Sequence, residues 1–183
     1  MKSTKMIVVI TAILLAIILV IAFRSGCSKS PGSKVDQIMN VDKSFKFPPG
    51  FPSDPGEAGK GTLKGIDSDH DGLRDDLQRW IYARFPDDAK KRSALKQMAV
   101  SYQKGLLLDD DDRKELRLNL LRVDKAIQCL DLVFGDDNIE MELVQAKALN
   151  TEKRSARYLE VNGRYDGWAF GEGFQGDGTA CED

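Results

Sequence analysis

The sequence predicts an all-α protein, and three observations carry that expectation. Apolar residues recur at three- and four-residue intervals through most of the stretch from Leu73 to Asn162. Pro86, Gly105, Gly135 and the pair Asn150-Thr151 break this pattern into separate helical runs. Every other proline lies before residue 56, at Pro31, Pro48, Pro49, Pro52 and Pro55. The expected architecture is an N-terminal membrane helix, an extended tether, one aspartate-rich loop leading into a bundle of about five helices, and an irregular tail rich in glycine and aromatic residues. In numbers this divides the chain into 1–27 as membrane anchor or lipoprotein signal, 28–65 as tether, and 66–183 as helical domain, with the loop at 67–78.

Met6 to Phe23 is a run of eighteen residues without a charge, preceded by Lys2 and Lys5 and followed by Arg24. At about 1.5 Å per residue a helix of that length spans roughly 27 Å, close to the hydrocarbon core of a bilayer and longer than the apolar core of an ordinary signal peptide. Residues 6–23 are therefore expected to attach the chain to a membrane as an uncleaved anchor. Ser25-Gly26-Cys27 resembles the end of a lipobox, which makes lipidation of Cys27 the competing route, although Arg24 stands where that pattern has an aliphatic residue. A cleaved signal is the third. The 38 residues that follow mix proline with glycine, serine and lysine, as a tether does. Phe45, Phe47 and Phe51 interrupt its polar character and suggest that part of it lies on the folded domain. Gly56-Glu57-Ala58-Gly59-Lys60-Gly61-Thr62 fails the spacing of a phosphate-binding loop.

Asp67, Asp69 and Asp71 stand at alternate positions and are followed by Gly72. Ca²⁺ takes six to eight oxygens, and a twelve-residue loop supplies them from positions one, three and five, with a glycine turning the chain at six. The Leu73 carbonyl at seven, Asp75 at nine and Gln78 at twelve would complete the shell. A neutral Gln78 replaces the usual bidentate glutamate, so the expected dissociation constant is about 10⁻⁴ to 10⁻³ M. His70, at position four, is expected to face solvent. This run resembles the calcium motif of thrombospondin type 3 repeats and their single-copy relatives in bacterial envelope proteins, in the pattern D-x-D-x-D-G-x-x-D-D. It resembles an EF-hand less, because Gly59, Gly61 and Gly65 spoil any entering helix. The competing interpretation is an aspartate-rich turn that caps the next helix without a metal.

Leu73, Leu77, Trp80, Ile81 and Phe85 then mark a first helix stopped by Pro86. Asp87 or Asp88 caps a second that runs to about Leu106. Asp109 to Asp112 open a third, whose Leu116, Leu120, Val123, Ile127, Leu130 and Phe134 form a heptad seam ended by Gly135. Residues 139–149 and 151–162 are the fourth and fifth. Arg154, Arg157 and Arg164, with Lys147 and Lys153, form either a solvated basic face or a site for phosphate or carboxylate. From Gly163 onward, glycines around Tyr165, Trp168, Phe170 and Phe174 exclude a regular helix. A disulfide from Cys129 to Cys181 is expected to fasten this tail.

Composition limits the function. With 27 basic against 29 acidic residues the net charge is −2, so no field draws nucleic acid. One histidine and three cysteines exclude most zinc constellations. No G-x-S-x-G or H-E-x-x-H motif is present, and the chain leans away from an enzyme. A millimolar-range calcium site and a cysteine pair both fit the periplasm or exterior. The expected role is a non-enzymatic, membrane-tethered module that contacts an envelope protein partner. The alternative is a calcium-dependent or carboxylate-dependent hydrolase of an envelope polymer; a calcium sensor is disfavoured by the single loop.

Overall fold

The computed structural model describes residues 38–135, 139–166 and 180–181, all within one compact unit that begins at Gln37. The predicted anchor at 6–23, Cys27 and the tail aromatics Trp168, Phe170 and Phe174 lie outside the described residues. Among the described residues the structure is helical, without strands: α1 Asp75–Arg84, α2 Ala89–Leu106, α3 Arg113–Phe134, α4 Glu140–Ala148 and α5 Glu152–Arg164, preceded by a 3-10 turn at Gly56–Lys60. No helix among them is long and apolar enough to cross a membrane.

Three helices start where a short polar side chain satisfies their otherwise unpaired N–H groups. Asp88 accepts from the Lys91 N–H at 3.0 Å at the start of α2. Asp112 accepts from Lys114 and Glu115 at α3, and Thr151 from Arg154 at α5. The acidic run 109–112 is thus a helix start, as expected. Helix α2 is central and packs against all the other helices, most extensively α3. Leu77, Leu95 and Met98 are wholly buried in this core, each worth about 1.5–3 kcal/mol of apolar burial.

The heptad seam of α3 is buried only in part. Leu116 and Leu130 are in the core, but the other fully buried positions are Asn119, Ala126 and Cys129. Leu120, Val123 and Ile127 line a cavity of about 440 Å³ instead. The contact face is therefore rotated toward small residues, which let α2 and α3 approach closely. Gly105 shows the closeness: a Cβ there would stand 3.0 Å from Asn119 Nδ2.

Part of the predicted tether is bound to the helices. Phe47 stacks on Phe51, both meet Tyr82, and the Arg79 guanidinium lies 3.9 Å from the Phe47 ring centre. Arg79 also donates to the Pro52 carbonyl at 2.6 Å, and Trp80 Nε1 to that of Ile38 at 3.0 Å. At the other end of the chain, Cys181 is joined to Cys129 with 4.8 Å between Cα atoms. Its neighbour Ala180 is buried, its carbonyl accepting from Gln97 Nε2 at 2.8 Å.

Candidate metal centre

The loop is shaped by its own aspartates before any ion is considered. Asp67 Oδ2 accepts from the Gly72 N–H at 3.2 Å, Asp69 Oδ1 from Asp71 at 3.3 Å, and Asp71 Oδ1 from Leu73 at 2.9 Å. Each bond ties a carboxylate to the backbone of the turn. Gly72 has a φ of 87°, which L side chains rarely adopt, and His70 reaches 59°. His70 is exposed, as its position in the loop predicts.

Two neighbouring elements hold the loop against the bundle. Gln103 of α2 accepts from the Arg74 N–H at 3.0 Å and donates to the Gly72 carbonyl at 3.2 Å, so one side chain clamps the loop exit. Asp75 Oδ1 accepts from the Ser68 N–H at 2.9 Å, while the Asp75 N–H donates to Ile66. Asp75 is buried and ties the start of the loop to the start of α1.

The outcome is a triad: Asp67, Asp69 and Asp71 each offer an oxygen within 4.8 Å of the others. Asp75 is not one of this group. Three carboxylates so close repel unless cationic or donor groups intervene. Gln78, from the first turn of α1, donates Nε2 to Asp69 at 2.9 Å and to Asp71 at 3.4 Å. That amide holds the Asp69 carboxyl below the ordinary range, against the opposing effect of burial. Lys96 of α2 places Nζ 2.7 Å from Asp71 Oδ2.

The donor set fits a hard cation. Asp67 Oδ1 and Gln78 Oε1 are buried without a hydrogen-bond partner, a condition that costs about 1–3 kcal/mol per group unless something else satisfies it. Turning the Gln78 amide by half a rotation would aim Oε1 at Asp69 and Asp71, which is repulsive unless a cation lies between. With the Leu73 carbonyl at position seven, these are oxygen donors of the kind calcium takes.

Two arginines lock the surroundings. Arg74, fully buried, makes a two-pronged ion pair with Asp76 at 2.8 and 2.9 Å and donates to the Ala148 and Lys147 carbonyls at the end of α4. Arg154, also fully buried, donates to Gly59, Thr62 and Leu63 carbonyls and to Asn150. Burial, and then the nearby Arg74 charge, push its pKa down to about 10, still cationic at neutral pH. Gly65 is required between them: at φ +70° its Cβ would meet Arg74 Cδ at 2.5 Å.

Arg157 bonds the Leu106 and Leu108 carbonyls and pairs with Asp110 at 2.7 Å. The solvated basic face expected of these arginines is therefore corrected for Arg154 and Arg157, because their forks meet backbone carbonyls inside the fold. Their donors are committed there, which leaves the anion-site reading without its binding groups; only Arg164 of the three stays exposed. Sequence reasoning passed over Arg74, Lys96 and Gln103. The only local sign was Arg74 at loop position eight, two residues before Asp76.

A polar cleft of about 300 Å³ opens beside the loop, with Asp71, Gly72, Lys96, Lys104 and Arg122 in its walls. Compared with protein-family models, with curated proteins and with solved structures, the chain matches none of them, so the chemistry of these residues carries the functional reading by itself.

Proposed function

We propose that this protein is a membrane-tethered, envelope-facing helical module in which Ca²⁺ fastens the loop at 67–78, and that it works as a non-enzymatic interaction protein. The observation that supports this most is the orphaned Oδ1 of Asp67, one of three converging carboxylates. The ion is held by Asp67, Asp69, Asp71, the Leu73 carbonyl and Gln78, with Asp75 bracing the loop. Its position between the bound tether segment and α1 makes it a structural fastener.

An ion that binds only the folded state stabilises it by RT ln(1 + [L]/Kd), about 1.4 kcal/mol at tenfold saturation. For a domain of this size that raises the melting temperature by about 3 to 6 °C. Millimolar Ca²⁺ should produce that shift in the full-length chain, chelator should reverse it, and Asp69→Ala should abolish it. An identical melt with Ca²⁺ and with chelator would remove the proposal.

Attachment is assigned to residues 6–23, or to a lipid on Cys27. Intact-mass measurement of the membrane fraction distinguishes them: a form beginning at Met1 supports the anchor, one beginning at lipidated Cys27 the lipoprotein. The alternative function, a hydrolase, needs two carboxylates converging on one cavity. Among the described residues, Asp124 is the one carboxylate lining the 440 Å³ cavity and Asp71 the one lining the 300 Å³ cleft.

A further inference from the structure

The cavity between α2, α3, α4 and α5 is separate from the calcium loop and has a definite chemistry. Its volume of about 440 Å³ lies in the range of small-molecule sites, which are mostly apolar with a few placed polar groups. Leu120, Val123, Ile127 and Val161 supply apolar wall, and Tyr102 and Tyr158 meet edge to face with ring centres 5.9 Å apart. Three features fix the polarity. Asn119, 3 % exposed, lines the cavity together with the Tyr165 hydroxyl and keeps a buried Oδ1 without a hydrogen-bond partner. Among the described residues Asp124 is the single charged lining residue; its carboxylate accepts from the neutral Gln128 amide at 3.1 Å, and no cation there pairs with it. No lysine or arginine among the described residues lines the cavity.

We propose that this cavity binds a small primary organic ammonium, an apolar body carrying N–H donors and a positive charge. The ammonium supplies the donor that Asn119 Oδ1 lacks, the Asp124 carboxylate sets the sign of charge admitted, and the tyrosine rings attract the cation through their faces. An organic anion of the same shape meets Asp124 with no compensating cation and is rejected. Burial pushes the Tyr102 hydroxyl far above its ordinary pKa, so that ring stays neutral and adds no second negative charge.

The test is calorimetric titration of the full-length chain in phosphatidylcholine nanodiscs, with empty discs as blank, using three probes of one shape: phenethylammonium, 2-phenylethanol and 3-phenylpropionate. Phenethylammonium should bind about tenfold more tightly than the alcohol, and the carboxylate more weakly than either. Asp124→Asn, with an unchanged melting temperature, should reduce the ammonium-over-alcohol preference about fivefold and leave the alcohol's own affinity unaltered. Equal affinity for all three probes, no binding of phenethylammonium at about 10 mM, or an Asp124→Asn variant with undiminished preference would each overturn the proposal. Asp69→Ala should leave all three affinities unchanged, so failure here and failure of the calcium reading are told apart.

Discussion

Removing Arg154 should release the segment before the calcium loop while leaving the helices folded. Its guanidinium donates to the Gly59 carbonyl at 2.7 Å, Thr62 at 2.9 Å, Leu63 at 3.2 Å and Asn150 Oδ1 at 2.6 Å. A hydrogen bond from a charged donor contributes about 1.5–3 kcal/mol net, so four in place sum to more than any single substitution usually costs. The carbonyls limit the loss, because they regain water once the segment peels away. We therefore expect about 3 to 5 kcal/mol for Arg154→Met, which keeps the apolar stem. Arg154→Lys should cost nearly as much, since an ammonium cannot span three separated carbonyls as a planar fork does. Urea unfolding gives the stability, and trypsin reports the local event. Lys60 and Lys64 are exposed in this segment, and cleavage after them should accelerate in both variants before the helices are cut. A melting profile within about 0.5 kcal/mol of the parent, with unchanged cleavage at Lys60 and Lys64, would refute the clamp.

Acid should destabilise the fold through Asp76. Burial pushes its carboxyl up, but the Arg74 ion pair outweighs this, with Arg154 and Asn150 adding to it, and the net shift is below the ordinary 3.8. A lowered carboxylate stabilises the fold above its unfolded-state pKa, and that stability is lost as pH falls through the folded value. Urea midpoints should therefore drop below about pH 4, and Asp76→Asn should both lower stability at neutral pH and flatten that decline. Reducing the Cys129–Cys181 bond, which closes a 52-residue separation, should cost about 4 kcal/mol by chain entropy, read as a lower urea midpoint under reductant. Gly105→Ala should destabilise by about 1–2 kcal/mol through the contact with Asn119, although alanine favours a helix interior by about 1 kcal/mol; a melt shows the sign. Lys96→Gln removes the cation that competes at Asp71 and should tighten Ca²⁺ binding by up to about fivefold, measured by titration.

The helices were legible from their apolar spacing, and three of the five are marked a second time by a short polar cap: Asp88, Asp112 and Thr151 all cap the elements their positions suggest, while α1 and α4 start without one. The loop was legible because Asp67, Asp69 and Asp71 are close in sequence as well as in space. The partners that hold it were not. Lys96 and Gln103 come from α2, more than twenty residues downstream, and nothing local in a lysine or glutamine on a helix says which loop it will face. The buried arginines were misread for a related reason. Arg154 lies in a helix whose sequence is strongly polar, and only the return of residues 59–63 across it turns a charged face into an interior clamp. The rotation of α3 likewise depends on Gly105 and Ala126, small residues whose value is the closeness they permit and which an apolar pattern does not register.

The central claim rests on the loop, and calorimetric titration of the full-length chain with Ca²⁺ tests it most directly. One ion per chain should bind with a dissociation constant of about 10⁻⁴ to 10⁻³ M, and Asp69→Ala and Asp71→Ala should each remove the heat while both variants remain folded in chelator. Absence of heat with the parent protein at several times the upper value of that range, or full retention of binding in both variants, would contradict the account and leave Asp67 to Asp71 as a turn that caps α1.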